Sequence, residues 1–310
     1  MSNQPRLQAQ GHPLGFGHAP SSIHLRPALR WPGNKPLALA FMVSAETYEI
    51  APPDGAHQPP NLPGGFGRGP YPDLRAWSTR EYGNRIGFFR VADELARHGF
   101  RATLAVDALT AMHRAPVIRR AQSLGWDIAA HGRSVTQMVS SEMDEATEHA
   151  HLSSAIDDIA QACGIRPTAW HGAEYGESMR TPGLLAGLGI HCLLDWTNDE
   201  QPFAIESGSG RVVAVPVAID LDDVFAHWHR KVDMARWCAM VLEAATRLAE
   251  DGKTSGRCLV INLHPWLIGQ PWRATYLREL LAALSGMEGV WRATPQEIAL
   301  AWRASDQAAG

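Results

Sequence analysis

A formal charge of -4 over 310 residues, with lysines and arginines scattered, leaves no basic footprint for nucleic acid or an anionic membrane surface. A hydrophobic fraction of 45% against 19% charged residues fits one soluble globular domain with a sizeable core. No apolar run approaches the roughly 20 residues that span a bilayer, the first residues lack the apolar core of a signal peptide, and Cys163, Cys192, Cys238 and Cys258 form no CxxC pair, so a cytoplasmic protein with reduced thiols is expected.

A polar, Pro/Gly-rich arm over 1–30 precedes "PLALAFMVSAE", a continuous apolar run of the kind buried on both faces of a sheet. From Ile50 to Asp73 proline and glycine are too dense for helix or ladder, and so long a loop is read either as a lid over the barrel mouth, with Gly64, Gly65 and Gly67 giving it freedom to close, or as a mobile surface loop. From Glu81 helical spacing (Ile86, Phe89, Val91, Leu95) runs to a stop at His98-Gly99. The alternation then repeats. "RATLAVD", "WDIAA", "PTAWH", "HCLLD", "RVVAVPVAID" and "RCLVINLH" read as strands, separated by helical patterns. One of those helices is expected to start at a Ser-x-x-Asp pattern, Ser141 and Asp144. "VWRATPQEIALAWRA" supplies a last strand and helix, leaving 304–310 as a tail.

Strands alternating with helices imply a parallel sheet with crossover helices. Seven or eight units, with no Gly-rich dinucleotide fingerprint, favour a deformed (β/α) barrel of about seven parallel strands in a single domain over 31–303.

The apolar runs end in Glu46, Asp107, His131, His171, Asp195, Asp220 and His264. A barrel converges its strand ends on one rim, where such groups serve as general acids and bases. No nucleophile accompanies them, since "GESM" around Ser178 lacks the G-x-S-x-G elbow, so an activated water is the expected attacker. His227 and His229 are two apart in a stretch read as loop, where they share no face, and are not expected to bind metal.

The chain resembles the polysaccharide deacetylase superfamily over roughly Trp31 to Trp302. The resemblance is carried by "AFMVSAE", "REYGNRIGFFRVADELARHGFRATLAV", "GWDIAAHG" and "NLHPWLIGQPWR". "LLDWTNDEQPF" and "LHPWLIGQPWR" look like the allantoinase-like and peptidoglycan-deacetylase-like branch. The resemblance implies a deformed barrel that hydrolyses carbon–nitrogen bonds. It also implies paired acids and two metal-binding histidines, which fall here on Ala45 and Glu46 and on His131 and Val135. Two of the four are lost, leaving Glu46 and His131 as the ligands of any metal, where a hydrolytic zinc has three.

The expectation is therefore a hydrolase of a small cyclic amide, imide or ureide, without a tightly bound cofactor. Glu46 or Asp199 would activate the water, His264 would protonate the leaving nitrogen, and His131 would donate to the oxyanion or share the proton. His171, Glu174, Tyr175, Trp196 and Trp266 would contact substrate. Two alternatives stand beside it. One is a deacetylase of an amino sugar or peptidoglycan that uses a divalent metal such as zinc, with His171 or Asp199 as third ligand. The other is a catalytically inactive barrel that binds a metabolite or partner. The partners expected are a small-molecule substrate and further copies of the chain, with neither nucleic acid nor membrane.

Overall fold

The computed structural model describes residues 21–58 and 71–309. Its strands are β1 (Leu37–Ala45), β2 (Ala102–Val106), β3 (Asp127–Ala130), β4 (Ala169–Trp170), β5 (Cys192–Leu193), β6 (Phe203–Ser207), β7 (Gly210–Ala214), β8 (Arg257–Leu263) and β9 (Val290–Arg292). They form one curled sheet in the order β6-β7-β5-β4-β3-β2-β1-β8, with β9 on the start of β1. Every pairing is parallel except the β6–β7 hairpin. Between β7 and β8 the ladder lapses. There Ala218 N–H donates to Val260 O at 3.0 Å, and Cys258 N–H to Glu200 O at 2.8 Å. The expected deformed (β/α) barrel is thus found, with its deformation at this seam.

Strand alternation divides the core in two. Leu37, Leu39, Phe41, Val43 and Ala45 of β1 face outward, into a layer shared with Phe88, Leu95, Trp237 and Leu281 of the surrounding helices. Ala38, Ala40 and Met42 face inward, to meet Ala105, Ala129, Ala169, Cys192 and Val260. Small side chains line the interior because a barrel of so few strands leaves little room inside. The outer layer carries most of the burial energy, at about 1.5–3 kcal/mol for each large apolar side chain.

Three expectations at helix ends are corrected. The helix expected from Glu81 starts at Leu74, where Asp73 accepts a bond from Ala76 N–H at 3.0 Å. It continues through one π-turn (Gly83–Gly87) into Phe88–Arg97. The π-turn lies hard against the segment after β8. A Cβ on Gly87 would stand 2.1 Å from Pro265 O, and one on Gly83 would stand 2.8 Å from Trp266 N. The helix predicted to start at Ser141 is Glu145–Cys163, capped by Asp144, which accepts from Thr147 N–H at 2.8 Å. The last helix, Pro295–Ala309, runs through the stretch expected as a tail.

The lid reading falls largely on 59–70, outside the described residues, as does most of the arm. Where the arm is described it lies on the body, with Leu29 N–H donating to Ser255 Oγ at 3.0 Å. Among the described residues no helix is long and apolar enough to cross a membrane.

Candidate active site

The inward parity of the strands explains which side chains meet at the rim. Ser44, Ala129, Ala169 and Asn262 are each followed, two residues on, by Glu46, His131, His171 and His264. These four, with Glu174 and Tyr175 from the turn after β4, line a cavity of about 190 Å³. Asp222, Phe225 and His229 close its other side. The turn is strained: Glu174 and Tyr175 are consecutive non-glycine residues with φ of 53° and 59°.

Glu46 is the centre of charge. Its Oε1 lies 3.5 Å from His131 Nε2 and 3.7 Å from His264 Nε2, and its Oε2 lies 3.2 Å from Arg80 Nε. Burial alone would raise its pKa, but His264, His131 and Arg80 outweigh burial and lower it to about 2. Arg80 is itself fixed, its guanidinium 4.0 Å over the Trp266 ring. The close approach at Gly83 and Gly87 is what brings Arg80's helix onto Trp266.

His264 is held at both ends. Its Nδ1 donates to Asp223 Oδ1 at 2.7 Å, and its backbone N–H donates to Asp223 Oδ2 at 2.9 Å. Burial opposes the charged ring, but Asp222, Asp223 and Glu46 overcome it and raise its pKa to about 10. His131 Nδ1 donates to His171 O at 2.7 Å, which turns Nε2 towards Glu46. Burial again lowers its pKa, and Glu46 reverses that, for a net rise.

His171 differs from the other two. Burial and the neighbouring imidazoles of His131 and His264 push its pKa well down, so the ring is neutral. It stacks on His131 with centroids 4.8 Å apart, and its Nδ1 donates to Asp195 Oδ1 at 2.8 Å. The cavity therefore holds the Glu46 carboxylate, two imidazoles biased towards a proton and one neutral imidazole, beside the carboxyl groups of Glu174 and Asp222, whose pKa values burial raises. Such a set can orient a water, protonate a leaving group and accept a substrate N–H.

Strand-end reasoning missed Asp222, Asp223, Asn262 and Arg80. Asp222 Oδ2 accepts from Tyr175 Oη–H at 2.9 Å and from Asn262 Nδ2 at 3.1 Å, while Ser44 Oγ–H donates to Asn262 Oδ1 at 2.9 Å. The signal available was "DLDD", in which Asp220 was taken as the rim acid. Asp220 is exposed and paired with Arg230 at 2.9 Å; the buried acids are two and three residues on.

Asp199 is placed elsewhere than expected. It accepts from Glu200 N–H at 2.7 Å and Gln201 N–H at 3.0 Å and pairs with Arg26 at 2.6 Å, lining a different surface cavity, so a water-activating role for it is not supported. Trp196 lines a neighbouring opening with Tyr175. Trp266 is buried beneath Arg80 and does not line the cavity. Asp107 is fully buried as a helix cap, accepting from Thr110 N–H at 2.6 Å. His229 lies at the cavity, while His227 Nδ1 donates to Val232 O at 2.7 Å.

The residues present do not fit the divalent metal that the resemblance implies. Ala45 packs in the outer layer, and Val135 is buried with its N–H on Thr47 O, outside the cavity lining. Arg80 already stands as the cation beside Glu46. Among the described residues Asp222, Asp223 and His264 bring their donor atoms within 4.8 Å of one another. However, N–H and O–H groups of His264, Phe225, Tyr175 and Asn262 already point at those carboxylate oxygens.

Residues 71–190 match the family model described as polysaccharide deacetylase. The chain is 24% identical to the Schizosaccharomyces pombe "Putative polysaccharide deacetylase", over 93% of this chain and 96% of that one. Its fold is shared with the "probable Polysaccharide deacetylase from Pseudomonas aeruginosa PAO1", at TM-score 0.78, 24% identity, 90% of this chain and 95% of that one. It is also shared with Puue allantoinase, at TM-score 0.79, 23% identity, 98% of this chain and 99% of that one.

Proposed function

We propose that the chain belongs to the polysaccharide deacetylase superfamily, whose model its residues 71–190 match, and that as a carbon–nitrogen hydrolase it opens a small cyclic amide, imide or ureide with water activated by side chains alone. The observation that carries the reading is Glu46 held between His131 and His264 at the base of a cavity of about 190 Å³. That volume suits a single small ring and not a polymer.

In this mechanism the substrate carbonyl carbon sits over Glu46, with its oxygen towards His131 Nε2. Glu46 Oε1 accepts a hydrogen bond from the water and takes its proton as the C–O bond forms. His131 donates to the developing oxyanion. His264 gives its Nε2 proton to the ring nitrogen as the C–N bond breaks, and the proton on Glu46 returns to His264, 3.7 Å away. Proton transfers of this kind contribute about 10²–10⁴-fold each. Asp223 keeps His264 charged and aimed.

Ring opening of a panel of hydantoins, imides and lactams, followed by ultraviolet absorbance, tests the reading. Turnover is expected for a small ring in the wild type and none in Glu46→Gln. Deacetylation of chitooligosaccharides or peptidoglycan fragments, with every small ring untouched, would overturn it.

A further inference from the structure

One carboxyl group in the cavity is not used by the mechanism above and has no partner in the described chain. Glu174 stands on the turn after β4 and lines the cavity together with Glu46, Asp222 and His264. The other acids of that lining are matched by donors. Glu46 has Arg80 Nε at 3.2 Å, and Asp222 accepts from Tyr175 Oη–H at 2.9 Å, Asn262 Nδ2 at 3.1 Å and Phe225 N–H at 2.9 Å. Among the described residues the Glu174 carboxyl takes no hydrogen bond and no ion pair. The cations of the site are engaged by other acids, Arg80 by Glu46 and His264 by Asp223 at 2.7 Å. A carboxyl drawn out of bulk water without a donor is unfavourable, and a ligand donor that reaches it removes that cost.

The backbone fixes where this side chain starts. Glu174 has φ 53° and ψ 31°, and Tyr175 follows with φ 59°. The turn closes on itself through Tyr175 N–H to Gly172 O at 2.9 Å and Gly176 N–H to Ala173 O at 3.0 Å. It is also packed from outside, since a Cβ on Gly176 would stand 2.8 Å from Val139 O. Tyr175 pins the turn to the site, with its hydroxyl on Asp222 and its ring edge-on to His171 at 4.8 Å between centroids. Ile219, Val224 and Phe225 give the same cavity an apolar wall. A ring bound over Glu46 therefore meets apolar contacts and, at Glu174, an acceptor that the protein itself leaves open.

We infer that Glu174 sets substrate specificity: the cavity takes a small ring that carries a positively charged nitrogen substituent, an ammonium, amidinium or guanidinium, whose N–H groups donate to the Glu174 carboxylate. This rests on the hydrolase reading above and adds to it a substituent that the reacting centre does not need. A cation fits better than a neutral donor because Glu174 has no countercharge of its own and shares the cavity with two further carboxyl groups. An anionic substituent would set like charges together out of water and is rejected.

Hydantoins bearing a propyl, aminoethyl or carboxymethyl group at the ring carbon form a series of similar size and different charge. Calorimetric binding to the Glu46→Gln protein, which is expected not to turn over, should rank aminoethyl above propyl by about tenfold, with carboxymethyl weakest. The wild-type kcat/KM values should follow the same order. Glu174→Gln should bring the aminoethyl and propyl rings to within about threefold of each other, chiefly through KM. Glu174→Arg should reverse the order and put carboxymethyl first. A wild type that takes the propyl or carboxymethyl ring as well as the aminoethyl ring, or an order unmoved by Glu174→Gln, overturns the inference. Should Glu174→Arg fail to fold, the wild-type series and Glu174→Gln still decide. The expected binding order with no ring opened would sink the hydrolase reading alone; rings opened without any charge preference would sink only this inference.

Discussion

Asp223→Asn isolates the part of the account that assigns His264 as a charged acid. Asn keeps the shape and can still accept the His264 backbone N–H, so what is removed is the negative charge 2.7 Å from Nδ1. His264 now titrates at about 10. If its pKa fell all the way to the ordinary value of about 6.5, the protonated fraction at pH 8 would drop from about 0.99 to about 0.03. Asp222 and Glu46 remain, so about thirtyfold is the upper bound on the loss of kcat at pH 8, with little loss near pH 6. The same shift appears in stability. The group's pKa is raised, so its contribution is complete below the ordinary imidazole value and lost as pH rises through about 10. The urea-unfolding gap between wild type and variant should therefore shrink over that window. A loss of kcat uniform from pH 5.5 to 9.5, with the alkaline limb unmoved, would refute the assignment.

Arg80→Met removes the guanidinium from Glu46 where the two side chains are only 5% and 3% exposed, and should cost about 3–5 kcal/mol in urea unfolding. Glu46 has a depressed pKa, so its stabilisation is present above the ordinary carboxylate value and lost as pH falls through about 2. Acid unfolding of Arg80→Met should begin at higher pH, and an unchanged acid midpoint would count against the pair. Ala129→Leu overfills the barrel interior beneath His131 and should cost about 1–3 kcal/mol together with activity. An unchanged Tm would mean that the inner face is not closed.

The barrel and four rim residues were legible because both follow from one rule. In a strand buried on both faces, alternation fixes which residue at its end points inward, and Glu46, His131, His171 and His264 all share the parity of small inward residues. The rule fails where the chain leaves the sheet. Asp222 and Asp223 lie beyond a 3₁₀ turn after β7, where strand parity no longer applies, and Asp220 was taken for the rim acid in their place. Asp199 is turned away by bonds to Glu200 and Gln201 and by Arg26, 173 residues distant in sequence. Arg80 sits on a helix, and only the glycine-mediated approach to Pro265 carries it to Glu46. Ala45 reads as a lost base, yet its side chain packs in the outer layer, which a one-dimensional motif match does not reveal.

The central claim is side-chain chemistry without a resident metal ion. Its most direct test is to strip the protein with a strong chelator, verify by elemental analysis that no transition metal remains, and assay the ring panel. The account predicts turnover equal to that of untreated protein and indifferent to added zinc. Turnover lost on chelation and recovered with zinc or nickel would contradict it.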